Sequence, residues 1–258
     1  MTSPGAPPIE RGTAVVNGIA VPDALLVPDE WLSSFFVSIS PLEVSWFADV
    51  SVARAVEVCA GVTGVQPQVR RVVDRYFDTP ARDLFRRRVS VRIRRHASPR
   101  RGLAFEIIAV GWAERASRRR VSGFVQTFGQ NDAADIPRLL ERYAAAGYEQ
   151  VACFEKTRYT FPIVPGHSVD ATGKDVVAGE LKGVAGAQGY LQVLDFGLKV
   201  EVDDLRRSPF RERTIIEVDY DTSHEARAEP VADGIRSALG PRLREKTTSK
   251  LALLLGRE

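Results

Sequence analysis

The strongest constraint on this chain is a nine-residue alternation, Arg88 to His96. Arg88, Ser90, Arg92, Arg94 and His96 fall on one side of an extended backbone, and Val89, Val91 and Ile93 on the other. Period two is the signature of a β-strand. A strand with a solid aliphatic face and a solid guanidinium face has two physical solutions. Either the Arg face is solvated surface, or it lines a cavity that holds an anion. Upstream, Arg70–Phe77 also reads as a strand, and Asp78-Thr79-Pro80 forms the turn between them. Asp and Thr side chains bond to local backbone there, and Pro80 fixes φ and donates no ladder hydrogen bond.

The remaining elements decide between the two solutions. Strands are expected in Phe35–Phe47 (broken at Pro41), Leu103–Val110, Arg118–Phe128, Gln150–Phe161, Leu198–Asp204 and Arg213–Tyr220. Helical spacing marks Asp49–Ala60, Asp135–Ala146, Glu225–Leu239 and Thr248–Leu255, with Asp49 or Ser51 as the first cap and Gly61 as the first stop. Ionic residues are sorted by strand. Lys156 and Arg158 join the arginines on the middle strands, while Glu201, Asp203, Glu217 and Asp219 occupy the last two. Amphipathic helices must bury the aliphatic sides of the strands, which turns the ionic sides inward. The expected fold is therefore α+β, an antiparallel closed β-barrel, or tunnel, of about eight strands with flanking helices around a charged lumen. Residues 1–30, rich in Pro and Gly, are expected to be a flexible tail, and 31–258 one domain. Residues 162–189 carry only weak patterning and read as a long loop or a small hairpin.

Composition narrows the function. Net charge is only +3, yet arginine far outnumbers lysine, and it clusters in Arg70–Arg75, Arg86–Arg101 and Arg115–Arg120. Guanidinium geometry suits bidentate phosphate recognition. Cys59 and Cys153 form no metal or disulfide pattern, and His96, His167 and His224 are too scattered for a zinc site. Single-stranded nucleic acid is disfavoured as a partner, because the Arg faces carry Ser and His where stacking aromatics are needed. The N-terminus lacks a secretory pattern and no apolar run is long enough for a membrane span, so a cytoplasmic protein is expected.

Tyr76-Phe77-Asp78-Thr79-Pro80, then Asp83-Leu84, then Val91-Arg92-Ile93-Arg94-Arg95 resembles the signature of the triphosphate tunnel metalloenzymes, the superfamily joining CYTH proteins and VTC polyphosphate polymerases. Lys156-x-Arg158 resembles the family's K-x-R strand. Leu198–Leu205 and Ile216-Glu217-Val218-Asp219 are similar to its acidic strands, and Thr248-Ser249-Lys250-Leu251 to its closing S-K-Y segment. Three positions depart from the pattern. Pro41 leaves the opening E-x-E-x-K strand without its first carboxylate. Ser45, two residues after Glu43, stands where the opening E-x-E-x-K strand places a lysine, and Ile108 stands in place of lysine after Glu106.

The resemblance implies metal-dependent hydrolysis or transfer of phosphoanhydride on triphosphate, polyphosphate or a nucleoside triphosphate. On that basis Arg92, Arg94, Arg118, Arg120, Lys156 and Arg158 are candidate phosphate ligands, and Glu217, Asp219 and Lys250 candidate catalytic residues. Mg²⁺ or Mn²⁺, which prefer hard oxygen ligands, would be held by Glu43, Glu106, Glu217 and Asp219, with Glu201 and Asp203 in support. The competing reading of the carboxylates is a structural ion-pair lattice that holds no metal. The missing lysines favour a second function, a degenerate tunnel protein that binds polyphosphate or nucleotide without turnover.

Overall fold

The computed structural model describes residues 15–16, 19–26, 37–39, 42–98, 102–113, 119–128, 135–164, 168–169, 175–176, 192–194, 197–205, 214–246 and 249–255. The principal strands are β1 (Leu42–Ala48), β2 (Gln68–Asp78), β3 (Val89–Ser98), β4 (Gly102–Ala113), β5 (Arg119–Phe128), β6 (Glu149–Val164), β7 (Leu198–Asp204), β8 (Thr214–Tyr220) and β9 (Leu243–Glu245). The helices are α1 (Val52–Thr63), α2 (Asp83–Arg86), α3 (Asp135–Ala145), α4 (Glu225–Leu239) and α5 (Lys250–Leu254). The fold is α+β, as the patterning predicts.

These strands form one sheet in the order β5-β4-β3-β2-β6-β7-β8-β1-β9, extended beyond β5 by Val37–Ile39 and the short strands at Gln192–Leu194, Ser168–Val169 and Asp175–Val176. Each pairing from β5 to β9 is antiparallel. Strands β1 and β5 also pair with each other, but only at Leu42–Arg120 and Glu43–Arg119. The expected antiparallel sheet is present, but its expected closure into a barrel is not shown. The contact that would close it is confined to those two residue pairs.

Register explains the sorting of faces. Val44 pairs with Val218 and Trp46 with Ile216, and Val218 and Ile216 pair in turn with Val200 and Val202. This aliphatic face is buried under α1 and α4 through Ala55, Val58, Cys59, Ala232, Ile235 and Leu239. Helix α1 starts at Ser51, whose Oγ accepts the Arg54 N–H at 3.2 Å. It runs through Gly61 to Thr63 and stops at Gly64 (φ +68°). The expected stop at Gly61 fails because a glycine within a packed helix costs only about 1 kcal/mol, whereas Gly64 supplies the left-handed cap. Strand β6 likewise runs through Pro162 to Val164, beyond its expected end at Phe161.

A second core lies on the aliphatic side of β2 and β3. Phe77, Val89, Val91 and Ile93 pack against Leu84 of α2, Leu139 and Tyr143 of α3, and Val21, Leu25 and Leu26. The Tyr143 hydroxyl donates to the Leu25 carbonyl at 2.8 Å. Within the segment 1–30, residues 21–26 are therefore anchored. Of residues 162–189, those beyond β6 and the two short strands lie outside the described residues.

Leu25 is fully buried. Leu25→Ala is expected to cost about 3 kcal/mol through lost burial and a residual cavity, read as a lower denaturant midpoint. A cost near zero would show that residues 21–26 do not stabilise this core.

Candidate functional site

The loop after β2 fixes the geometry of the signature motif. The Asp78 carboxylate accepts backbone N–H groups from Thr79 (2.7 Å), Leu84 (3.0 Å) and Phe85 (2.9 Å). Asp78 thus caps the start of α2, the structural role that a turn aspartate suggests. Arg88 precedes β3 with a left-handed φ of 59°, so the alternating face begins at Ser90.

On the face opposite α1 and α4, the charged residues of six strands meet. At one end, Arg94 binds Asp74 with two hydrogen bonds, at 2.7 and 2.9 Å. Arg92 lies 3.8 Å from Asp74 and donates to the Tyr76 hydroxyl at 3.2 Å. Its Nε is buried with no hydrogen-bond acceptor among the described residues. In the middle, Asp203 gathers three cations: Lys156 at 2.7 Å, Arg158 at 2.7 and 2.8 Å, and Lys250 at 2.8 Å. Arg158 also pairs with Glu201. At the other end, Lys250 reaches Glu217 at 2.5 Å, and Lys246 reaches Glu217 and Glu43, both at 3.2 Å. Lys199 lies 2.8 Å from Glu201 and 3.5 Å from Asp219.

Burial makes these pairings strong. Burial opposes the charge of Asp203, but Arg158, Lys156 and Lys250 overcome it and hold the carboxyl well below its usual range. Asp74 is held low against burial by Arg94, Arg92 and Lys156, and Glu217 by Lys250 and Lys246. Lys156 has the weakest hold on its proton. Burial and the neighbouring Arg158 and Lys250 oppose its charge more than Asp203 and Asp74 support it. Asp219 goes the other way. Burial pushes its carboxyl up to about 7, and Glu201, Glu43 and Glu217 add to this against the single favourable partner Lys199.

Most of the expected residues converge here: Arg92, Arg94, Lys156, Arg158, Lys250, Glu43, Glu217 and Asp219. Arg118 lies outside the described residues. For Arg120 and Glu106 only the backbone is described: Glu106 pairs in register with Arg94, Ile108 with Arg92, and Arg120 with Leu42. The expected metal set fares differently. Both Glu217 oxygens face lysines, Lys246 at Oε1 and Lys250 at Oε2, and Lys246 also holds Glu43. Among the described residues, no group of three or more His, Cys, Asp or Glu side chains is arranged to hold a metal ion. The arrangement fits an ion-pair lattice rather than a preformed divalent site at Glu43 and Glu217.

Sequence reasoning missed three members: Asp74, Lys199 and Lys246. Asp74 shares the period-two face of Tyr76, but its pairing with Arg94 requires the register across the Asp78–Arg88 connection. Lys199 alternates with Glu201 and was readable from the strand. Lys246 follows β9 in a segment with no period and carried no signal.

Residues 50–222 match the family profile described as CYTH domain. The chain belongs to the CYTH family. Its fold is similar to that of the PH1819 protein from Pyrococcus horikoshii OT3, at 16% identity and a TM-score of 0.54, with 84% of this chain and 99% of that chain covered. It is also similar to HpAC1 from Hippeastrum, described as having a dominant triphosphatase activity, at 13% identity and a TM-score of 0.55, covering 84% of this chain and 95% of that one. No curated protein matches the sequence. No helix among the described residues is long and apolar enough to cross a membrane.

The raised Asp219 carboxyl sets a pH test. A carboxyl whose folded pKa lies above its unfolded value lends stability at low pH and loses it as pH rises through the folded pKa, here from about 4 to about 7. In metal-free buffer Asp219→Asn should change the melting temperature little at pH 5, where the wild-type carboxyl is protonated. It should raise it at pH 8.5, where the wild type buries a poorly compensated charge. An effect of Asn independent of pH would show that Asp219 ionises normally.

Proposed function

We propose that this CYTH protein binds a triphosphate-type anion on its charged sheet face and cleaves a phosphoanhydride bond there, passing the phosphoryl group to water or to an acceptor phosphate. The observation that carries the reading is the convergence of Arg92, Arg94, Lys156, Arg158 and Lys250 on one face. The short β1–β5 pairing supports a further element of the proposal, that the sheet wraps round this face as a barrel.

Phosphoryl transfer depends on positioning and charge neutralisation more than on covalent chemistry. In the free protein Asp203 holds three of these cations, so an incoming phosphate competes with a carboxylate for donors already in place. Arg92 offers an unused donor, since its buried Nε lacks an acceptor among the described residues, and its guanidinium lies 5.6 Å from the Tyr76 ring centre. Lys250, set between Asp203 and Glu217, is placed to neutralise charge on the transferred group. Asp219, with a carboxyl near neutrality, is the group suited to take a proton from water. Mg²⁺ or Mn²⁺, if bound together with the substrate, would supply counter-charge to its phosphates. Binding without turnover is the second reading, and it is favoured by the lysine contacts on each of Glu43, Glu201, Asp203 and Glu217. Arg118, Arg120 and Glu106 remain candidate ligands under either reading, and a cytoplasmic site of action is part of the proposal.

Two measurements test this. Tripolyphosphate and nucleoside triphosphates with Mg²⁺ or Mn²⁺ should release phosphate. Binding by calorimetry with no release under either metal would leave only the second reading. Arg92→Ala should weaken tripolyphosphate binding by about tenfold or more, the worth of one charge-assisted contact. Its fold should persist because Asp74 keeps Arg94 and Lys156. Unchanged affinity would move the anion site elsewhere.

A further inference from the structure

Lys246 has surroundings that an ordinary phosphate-binding lysine would not have. Its ammonium touches three oxygens: Glu43 Oε1 and Glu217 Oε1 at 3.2 Å and the Ser45 hydroxyl at 3.3 Å. An ammonium has three protons, so its donors are matched one to one. The side chain is 1% exposed. The backbone fixes it as well, because the Lys246 N–H donates to the Ser45 carbonyl at 2.9 Å and the Ser45 hydroxyl contacts the Lys246 carbonyl at 3.4 Å. Ser45 and Glu217 are register partners on β1 and β8, and Glu43 lies two residues along β1 on the same face. Two carboxylates and a hydroxyl converging on one point is the hard-oxygen environment that a small divalent cation prefers. Here that point is filled by a tethered ammonium.

We infer that Lys246 is the resident cation of the Glu43–Glu217 pair. It keeps the two carboxylates together without a metal and excludes a divalent ion from between them. Ser45 allows this. A lysine at position 45, where the family resemblance places one, would project from β1 onto the same face, whereas serine leaves room for Lys246 to enter from the β9–α5 connection. The missing β1 lysine is thereby replaced by one from elsewhere in the chain. Lys246 is a positioning residue. The inference rests on treating this face as an ionic site and is independent of whether the chain turns over triphosphate.

Manganese binding tests it with a readout that does not involve activity. Wild type and Lys246→Gln are titrated with Mn²⁺ alone, with free ion followed by electron paramagnetic resonance and heat by calorimetry. Lys246→Gln should bind about one more Mn²⁺ per chain than wild type, and its melting temperature should fall without metal and recover with Mn²⁺. Adding Glu43→Gln to Lys246→Gln should remove the extra ion. Equal Mn²⁺ counts in wild type and Lys246→Gln would overturn the inference. Should Lys246→Gln not fold, wild type still decides. The slowly exchanging ammonium signal of Lys246, assigned through Lys246→Arg, should persist in excess Mg²⁺, and its loss would show that the metal displaces the lysine. Tripolyphosphate binding by the wild type reports separately on the proposed function, so the two readings fail independently.

Discussion

Asp203 is the interaction on which the rest of the site depends. One fully buried carboxylate holds Lys156, Arg158 and Lys250, which come from β6 and α5. Without it, three cations would face one another across a low-dielectric interior at a cost of several kcal/mol each. Through Arg158 and Lys250 the network reaches Glu201 and Glu217, through Lys156 it reaches Asp74 and the arginines of β3, and through Glu217 it reaches Lys246 and β1. The pairing thus ties together strands whose aliphatic faces are already fixed by α1 and α4. Hydrophobic burial on one side sets the register. Ion pairing on the other side uses it.

Such a lattice is a poor stabiliser by itself, since desolvation offsets much of the Coulomb gain. Its use is preorganisation. Cations held in place by carboxylates need little reordering when phosphate oxygens replace those carboxylates, and this lowers the entropic cost of binding. In the described set, Arg92, Arg94, Lys156, Arg158, Lys199, Lys246 and Lys250 face Glu43, Asp74, Glu201, Asp203, Glu217 and Asp219, one cation more than carboxylates. A polyanion entering such a nearly neutral site must displace carboxylates from their partners or bring its own counter-ions.

Much of this was legible in the sequence because period-two alternation is a local property. The phases of β3, β6, β7 and β8 follow from Val91, Lys156, Glu201 and Glu217 directly, and helix α4 begins and ends where its spacing says. What depends on contacts distant in sequence was not legible. The Asp74–Arg94 pair requires the register across the Asp78–Arg88 connection, which holds a short helix rather than a simple turn. The link between β1 and β5 rests on two residue pairs beside Pro41, too few to leave a pattern. Glu217 and Asp219 share a face, as their i and i+2 spacing predicts, yet they do not share a partner: lysines take Glu217, and burial keeps Asp219 near neutrality. Ser45 read as the loss of a cation, and only the packing of the β9–α5 connection shows Lys246 in that place.

A crystal structure of the chain with tripolyphosphate tests the central claim most directly. The expected result is phosphate oxygens within hydrogen-bond reach of Arg92, Lys156 and Lys250, with Asp203 released from at least one of its three partners. Tripolyphosphate bound on the outer surface, with every contact of Asp203 intact, would contradict the assignment of this face as the site.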